Sequence, residues 1–307
     1  MVVRAGVPVL EIGGTHVTAA LVEPEPEATG TATATPVGSR PRVIEEHRFP
    51  LHSAGDAASV VATIVEAGAR LGVSEPVRWG VAIPGPFDVD AGIGRYEGVG
   101  KFDSLNGFDL GAALREAMRG SLSDTAFVND ATAFALGERA GGAGRDHRRV
   151  VCLTLGTGVG SAFIADGVVV DEGERVPPHG WMYRVEHNGA PLEDVVSRRA
   201  MRAAYLRAAG ELVDVHTIAK RARAGERAAI EVFTTTMTVL GRSLAGWVQR
   251  FEADAIVVGG SIARSWDLVE EPMREAIGET GAVLVPASLG DAAPLIGAAA
   301  FASRLTG

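Results

Sequence analysis

The chain repeats one short pattern twice. "VLEIGGTHVTAAL" at 9–21 is an apolar strand, a Gly13-Gly14-Thr15 turn and a second apolar strand. "VVCLTLGTGVGSAFIADGVVV" at 150–170 runs through the same order around Gly156-Thr157-Gly158 and adds a third strand after an Ala-Asp-Gly turn. At an offset of 143 residues, Leu10 falls on Leu153, Ile12 on Leu155, Gly13 on Gly156 and Ala19 on Ala162. Such self-similarity marks an internal duplication of a β-rich αβ unit, and two copies imply two similar lobes facing each other across a cleft. The expected fold class is therefore α/β.

The surrounding sequence fills in both units. After strands at 7–12 and 16–23, "VIEEHRF" (43–49) reads as a third strand. Residues 54–72 carry Val60, Val61, Ile64, Val65 and Leu71 at helical spacing, with Asp56 near the start and Gly72 past the end. "VRWGVAI" (77–83) is a strand stopped by Pro84-Gly85-Pro86. Between the second and third strands, 24–42 is rich in Pro, Thr, Ala and Gly without periodicity and reads as a mobile loop. After the second copy, helical stretches fall at about 191–208, 214–223 and 226–251. A strand at 255–260, a helix to about 279, a strand at 282–286 and a closing helix from about 293 follow. This order places a small N-terminal lobe at 1–122, joined by the closing helix of about 290–307, and a larger C-terminal lobe at 123–289.

Composition narrows the class of partner. A 307-residue chain that is 47% hydrophobic and 22% charged has what a folded two-domain protein needs. Its net charge of −9 argues against nucleic acid or an acidic membrane as the main partner. "RDHRR" at 145–149 follows "GGAG" and reads as a solvated turn. The single cysteine, Cys152, lies in an apolar run and reads as a buried structural thiol that can form no internal disulfide. Neither a signal peptide nor an apolar run of membrane-spanning length is visible, and cytoplasmic localisation is expected.

Two glycine turns at strand ends suit phosphate, because glycine tolerates positive φ and lets an anion approach without a Cβ in the way. Thr15 and Thr157 each add a hydroxyl. A third turn, Gly259-Gly260-Ser261, follows a strand and opens a helix, the usual place for a nucleotide's sugar or phosphate. "FVNDATAFALGE" (127–138) ends a strand and begins a helix at Asn129-Asp130. Asp130 reads either as the helix N-cap or as a carboxylate free to act as general base, in which case Asn129 or Thr132 caps.

The stretches "EIGGT", "AIPGPFD", "VNDATAFALGE", "LTLGTGVG", "IVVGGSIA" and "LGDAAPLIGAAAFA" occur in the order found in the ROK family of sugar kinases, and the chain resembles that family over almost its whole length. The resemblance implies the actin-like ATPase (ribonuclease H-like) fold, shared with glucokinases and N-acylhexosamine kinases. It also implies transfer of a phosphoryl group from Mg-ATP to a sugar, most often at the 6-hydroxyl. Asp130 then matches the catalytic base, Asn129 a contact to the sugar ring, and Gly85 the sugar side. Gly13, Gly14, Thr15, Gly156, Thr157 and Gly158 match the ATP phosphate turns, and Gly259 and Gly260 the adenosine end. The family suggests a homodimer. With the first phosphate turn at residue 13, the helix-turn-helix of ROK repressors is not expected, and the resemblance implies a kinase more than a repressor.

Three departures bear on the substrate. Glu11 stands where the family usually has Asp, and the resemblance makes it a candidate Mg²⁺ ligand one methylene longer than usual. The structural zinc of many family members needs a cysteine cluster, so no zinc site is expected. In its region Glu193 and Ser197 keep a Glu-x-x-x-Ser spacing, which makes Glu193 either a sugar contact or a first-turn helix acid. The family's Glu-x-Gly-His segment is replaced by "PPHGWMYRVEH" (177–187), where His179 and Trp181 are candidate sugar contacts, the indole as a stacking plate. The family's Asn-Leu-Pro-x-Trp segment gives way to "GVGKFDSLNGFDL" (98–110). The alternative to a kinase is a non-catalytic sugar sensor, and polyphosphate is an alternative donor.

Overall fold

A computed structural model describes residues 6–25 and 40–305. Of the loop expected at 24–42, residues 26–39 lie outside those described. The chain forms two compact units, one of residues 1–141 with 291–307 and one of residues 142–290.

The first unit opens with β1 (Val7–Ile12), β2 (His16–Glu23) and β3 (Arg42–Pro50), followed by α1 (Ala57–Ala69) and β4 (Val77–Ile83). Two short pieces, β5 (Phe87–Asp88) and β6 (Ile93–Gly94), pair with each other; α2 (Leu110–Ala117), β7 (Leu122–Asn129) and α3 (Asp130–Gly141) follow. The second unit holds β8 (Arg149–Leu155), β9 (Val159–Ala165), β10 (Val168–Val169), β11 (Glu186–His187) and β12 (Ala190–Pro191). It continues through α4 (Glu193–Val196), α5 (Arg198–Ala209), α6 (Val215–Arg223), α7 (Arg227–Phe251), β13 (Ala255–Gly259), α8 (Trp266–Ile277) and β14 (Val283–Pro286). A last helix, α9 (Ala292–Arg304), returns to the first unit.

Each unit is built on a five-stranded sheet, and the two sheets have the same plan. Their orders are β3-β2-β1-β4-β7 and β10-β9-β8-β13-β14. In both, the first three strands in sequence form an antiparallel meander and the last two add in parallel to its first strand. The duplication read from the sequence is thus a duplication of topology. The parallel strands are the apolar ones: all five residues of β13 are buried, as Ala255–Gly259 must be when helices cover both faces. Edge strand β3 instead alternates between exposed and half-buried residues.

Helix starts follow local chemistry. Asp56 accepts from the Ser59 N–H at 2.7 Å and caps α1, whose Val60, Ile64 and Ala67 fall on one buried face. Asp214 caps α6 through the Thr217 N–H at 2.7 Å. The helix expected over 191–208 is two helices instead: Ser197 is extended, ends α4 and caps α5 through the Ala200 N–H. A capping hydroxyl with β-region backbone starts a new helix more readily than it continues an old one. The boundary expected between 122 and 123 falls later. Strand β7 pairs in parallel with β4, so its residues and those of α3 go with the first sheet.

The packing of α3 on α9 fixes where α3 begins. Gly137 of α3 lies against the backbone of Ala293, and Gly297 of α9 lies against the Ala133 carbonyl, so closely that a Cβ at either glycine would overlap main chain. On the sheet side, Gly80 of β4 meets Ala298 of α9 in the same way. Backbone cannot yield as a side-chain end can, so these glycines set the crossing distance. Gly297→Ala is expected to cost about 1–3 kcal/mol and lower the thermal unfolding midpoint, read by circular dichroism; an unchanged midpoint would show that the helices separate freely.

Candidate active site

In the first unit, four segments meet around the end of β7. Asn129 is its last residue and Asp130 the first of α3. The Ala131 N–H, an otherwise orphaned first-turn donor, donates to Asn129 Oδ1 at 3.0 Å and to Asp130 Oδ1 at 2.8 Å. The two residues share the capping bond rather than dividing labour. Asp130 is exposed to solvent, yet the protein atoms around it push its carboxyl above the ordinary range. The Ala131 bond, the charge of Lys101 and a bond from Asn129 pull the other way. Gly85 lies beside the Asn129 amide nitrogen, so β4's exit and β7's end line the same place. Beneath them Tyr96, fully buried, donates its hydroxyl to the Pro84 carbonyl at 2.7 Å and stacks with Phe87 and Phe102. Burial and the Asp130 charge raise its phenol further out of reach of ionisation.

Glu11 is half-buried on β1, paired across the sheet with Thr18 and Ala82. Burial raises its carboxyl; a Thr18 side-chain bond and the Arg48 charge oppose this, and Asp291 and Asp130 reinforce it. A half-buried carboxylate whose ionisation is opposed by two neighbouring acids is suited to a cation. Among the described residues no group of three or more His, Cys, Asp or Glu is arranged to hold a metal. Mg²⁺ commonly takes one or two carboxylates with phosphate and water completing its shell, and Glu11 fits that smaller demand.

The β1–β2 turn closes with Gly13 N–H donating to the His16 carbonyl at 2.8 Å. No intramolecular bond is recorded for the Gly14 or Thr15 N–H, and Thr15 is exposed. The second unit repeats the device: Gly156 N–H donates to the Gly158 carbonyl at 3.0 Å, leaving the N–H groups of Thr157 and Gly158 unused. Contrary to expectation, none of Gly13, Gly14, Gly156 and Gly158 has positive φ. Space, not backbone handedness, is what glycine supplies there. Around Gly14 a Cβ would meet nothing within 4 Å, whereas at Gly158 it would strike the Glu193 carboxylate.

That carboxylate accepts from the Val159 N–H at 2.9 Å. Glu193 therefore braces the Gly156–Gly158 turn with one oxygen, a role its sequence position did not suggest. Gly260, at φ +87°, folds onto Leu155, and the Ile262 N–H donates to the Leu155 carbonyl at 3.0 Å. The Gly259-Gly260-Ser261 turn thus sits directly beside the Gly156 turn, as the parallel pairing of β8 with β13 requires. Trp181 is not a free plate. Its ring lies 4.5 Å from that of His179 and 5.6 Å from that of Tyr183, with the Arg184 guanidinium 4.7 Å from its centre. Ser161 of β9 holds this segment, donating to the Gly180 carbonyl at 2.6 Å and accepting from the Met182 N–H at 2.8 Å.

The sequence pattern of the ROK family matches residues 8–304. The chain belongs to the ROK family. Among its relatives, a glucokinase of Thermotoga maritima is 30% identical over 64% of this chain and 68% of its own length. A Pyrobaculum calidifontis glucokinase is 31% identical over 73% and 78% respectively. The ROK hexokinase structure from Thermus thermophilus covers 98% of both chains at 25% identity and a TM-score of 0.76. A Streptomyces griseus ROK glucokinase structure, in complex with glucose and AMPPNP, aligns over 98% of this chain and 100% of that one, at 24% identity and a TM-score of 0.74. The fold is the actin-like ATPase fold of these ROK proteins, and the doubled sheet is its signature.

Against the ROK motifs, the structure adds residues that the sequence did not single out. Lys101, one of only two lysines, is an electrostatic neighbour of Asp130 from the segment that replaces Asn-Leu-Pro-x-Trp. Its rarity was the available signal. Tyr96 offered none, being an aromatic in a glycine-rich loop. Cys152, by contrast, is fully buried in β8 as its apolar neighbours indicated.

A carboxyl raised in the folded state opposes folding once ionised: the stability tied to its protonated form is whole below the unfolded value of 3.8 and is lost as pH rises through the folded value. Asp130→Asn should accordingly raise the unfolding midpoint at pH 7.5, with the gain disappearing on acidification below 3.8. A midpoint lowered at neutral pH would mean that Asp130 is a structural cap. Tyr96→Phe leaves the buried Pro84 carbonyl without its donor and should cost about 1–3 kcal/mol by denaturant unfolding, unless the loop repacks.

Proposed function

We propose that this ROK protein is a sugar kinase that transfers the γ-phosphoryl of ATP to the 6-hydroxyl of a hexose or aminohexose. One observation carries the reading: Asp130, a solvent-reachable carboxylate whose pKa is raised, stands at a strand end beside Asn129 and Gly85 in a chain that keeps unoccupied N–H donors at both phosphate turns. Relatives named glucokinase, N-acetylgalactosamine kinase and N-acetyl-D-glucosamine kinase support the substrate class.

In this reading the sugar hydroxyl gives its proton to Asp130 Oδ as its oxygen bonds to the γ-phosphorus and the bond to the β–γ bridging oxygen breaks, releasing ADP. A positioned base contributes about 10²–10⁴-fold. A raised carboxyl pKa brings the base nearer to the hydroxyl's own and favours the transfer. Asn129, held by the Ala131 N–H through its oxygen, turns its amide nitrogen toward Gly85 and a sugar oxygen. The first unit's turn at Gly13, Gly14 and Thr15 and the second unit's at Gly156, Thr157 and Gly158 donate N–H groups to the phosphates, and Gly259 and Gly260 accommodate the adenosine. Bound at Glu11, Mg²⁺ would neutralise phosphate charge.

Within the first unit, Asn129 and Gly85 are the sugar-side residues of this reading. In the second, His179 and Trp181 are engaged in a ring ladder, and Glu193 braces a turn with one oxygen. A panel of glucose, glucosamine, N-acetylglucosamine, N-acetylmannosamine, fructose and mannose, with ATP or polyphosphate as donor, tests the reading by coupled ADP release and sugar-phosphate detection. Expected is turnover with at least one hexose, falling at least a hundredfold in Asp130→Asn while ATP affinity stays within about threefold. Sugar binding by calorimetry without any turnover would instead establish a sensor.

A further inference from the structure

The mechanism above leaves one cation beside the nucleotide turns unused. Arg198 opens α5, directly after the Ser197 cap. Its backbone N–H donates to the Gly156 carbonyl at 2.9 Å, which ties the helix start to the phosphate turn. Its guanidinium reaches back to donate to Ser261 Oγ at 2.7 Å, across to the Gly259-Gly260-Ser261 turn. Ser261 Oγ in turn stands 3.6 Å from where a Gly156 Cβ would be. One arginine therefore touches both glycine turns of the second unit, at the seam between the phosphate end and the adenosine end.

Several arginines of this unit are neutralised by acids. Arg199 pairs with Asp194, Arg221 with Glu211 and Arg223 with Asp267. Among the described ion pairs none includes Arg198; a neutral hydroxyl takes one of its five N–H donors. The two carboxylates nearest in sequence are engaged elsewhere: Asp194 with Arg199, and Glu193 with the Val159 N–H. The guanidinium of a half-buried arginine that is in no described ion pair, held at two turns with spare N–H donors, is complementary to a phosphate chain, which it can grip with two parallel bonds.

We infer that Arg198 is a nucleotide-binding residue: its guanidinium leaves or shares the Ser261 hydroxyl to hold the non-bridging phosphate oxygens of ATP and ADP at the Gly156–Gly158 turn. The assignment rests on the reading of those turns as the nucleotide site. It also explains the Ser197 break between α4 and α5, since a continuous helix would carry residue 198 on without returning its N–H to Gly156.

Calorimetry with ADP and AMP, and steady-state kinetics with ATP, test this on the full chain. Arg198→Met is expected to weaken ADP binding and raise the KM for ATP by more than tenfold, to weaken AMP by a smaller factor, and to leave sugar affinity without nucleotide unchanged. Arg198→Lys, which retains the charge but not the planar fork, should lose between three- and tenfold for ADP. Wild-type ADP affinity in either variant overturns the assignment, and so does equal loss for ADP and sugar together with a lowered unfolding midpoint. If Arg198→Met does not fold, Arg198→Lys alone carries the test. Arginine-dependent ADP binding in a protein that phosphorylates no sugar would sink the kinase reading and leave this one standing. Sugar turnover by the wild type with both variants unaffected would do the reverse.

Discussion

The first unit depends on how closely α3 can approach α9. Gly137, Gly297 and Gly80 allow backbone to lie on backbone there, and α9 consequently seals both the helix and the sheet. Asp130 is the first residue of α3, so its place relative to Gly85 and Glu11 follows from that crossing. A carboxylate at a helix start inherits the rigidity of whatever holds the helix. Here the holding surface is almost free of side-chain freedom, because glycine and alanine have no rotamers to lose.

The second unit uses the opposite strategy. Its large core, from Val151 and Phe163 through Leu240, Leu244 and Phe251, is filled by long side chains, while polar bonds fix the site residues. Glu193, Ser161 and Arg198 each tie a loop to a neighbouring backbone group. Packing sets the frame, and a few directional bonds set the turns. This division suits a surface that must present N–H donors at fixed positions yet leave them unpaired.

Much of this was legible in the sequence. The repeat around Gly13 and Gly156 gave away the doubled sheet because strand pairing depends on apolar runs and turn glycines, both visible in single residues. What escaped was set by contacts distant in the chain: Tyr96 reaching Pro84, Lys101 beside Asp130, and Glu193 turned onto Val159. Nor does anything in "PPHGWMYRVEH" show that its aromatic residues stack on one another. The break at Ser197 was hidden for a different reason: its flanks have helical composition, and only the capping geometry divides them.

The second unit is an insertion in the first: residues 142–290 interrupt a unit that α9 completes. During synthesis, every residue of the inserted unit emerges before the helix that covers β1, β4 and β7. The unit that begins first is thus obliged to finish last. Until then, the apolar face of its sheet and the glycine side of α3 stay without a cover. For a protein that folds as it is made, the arrival of α9 decides when the first unit becomes a finished object.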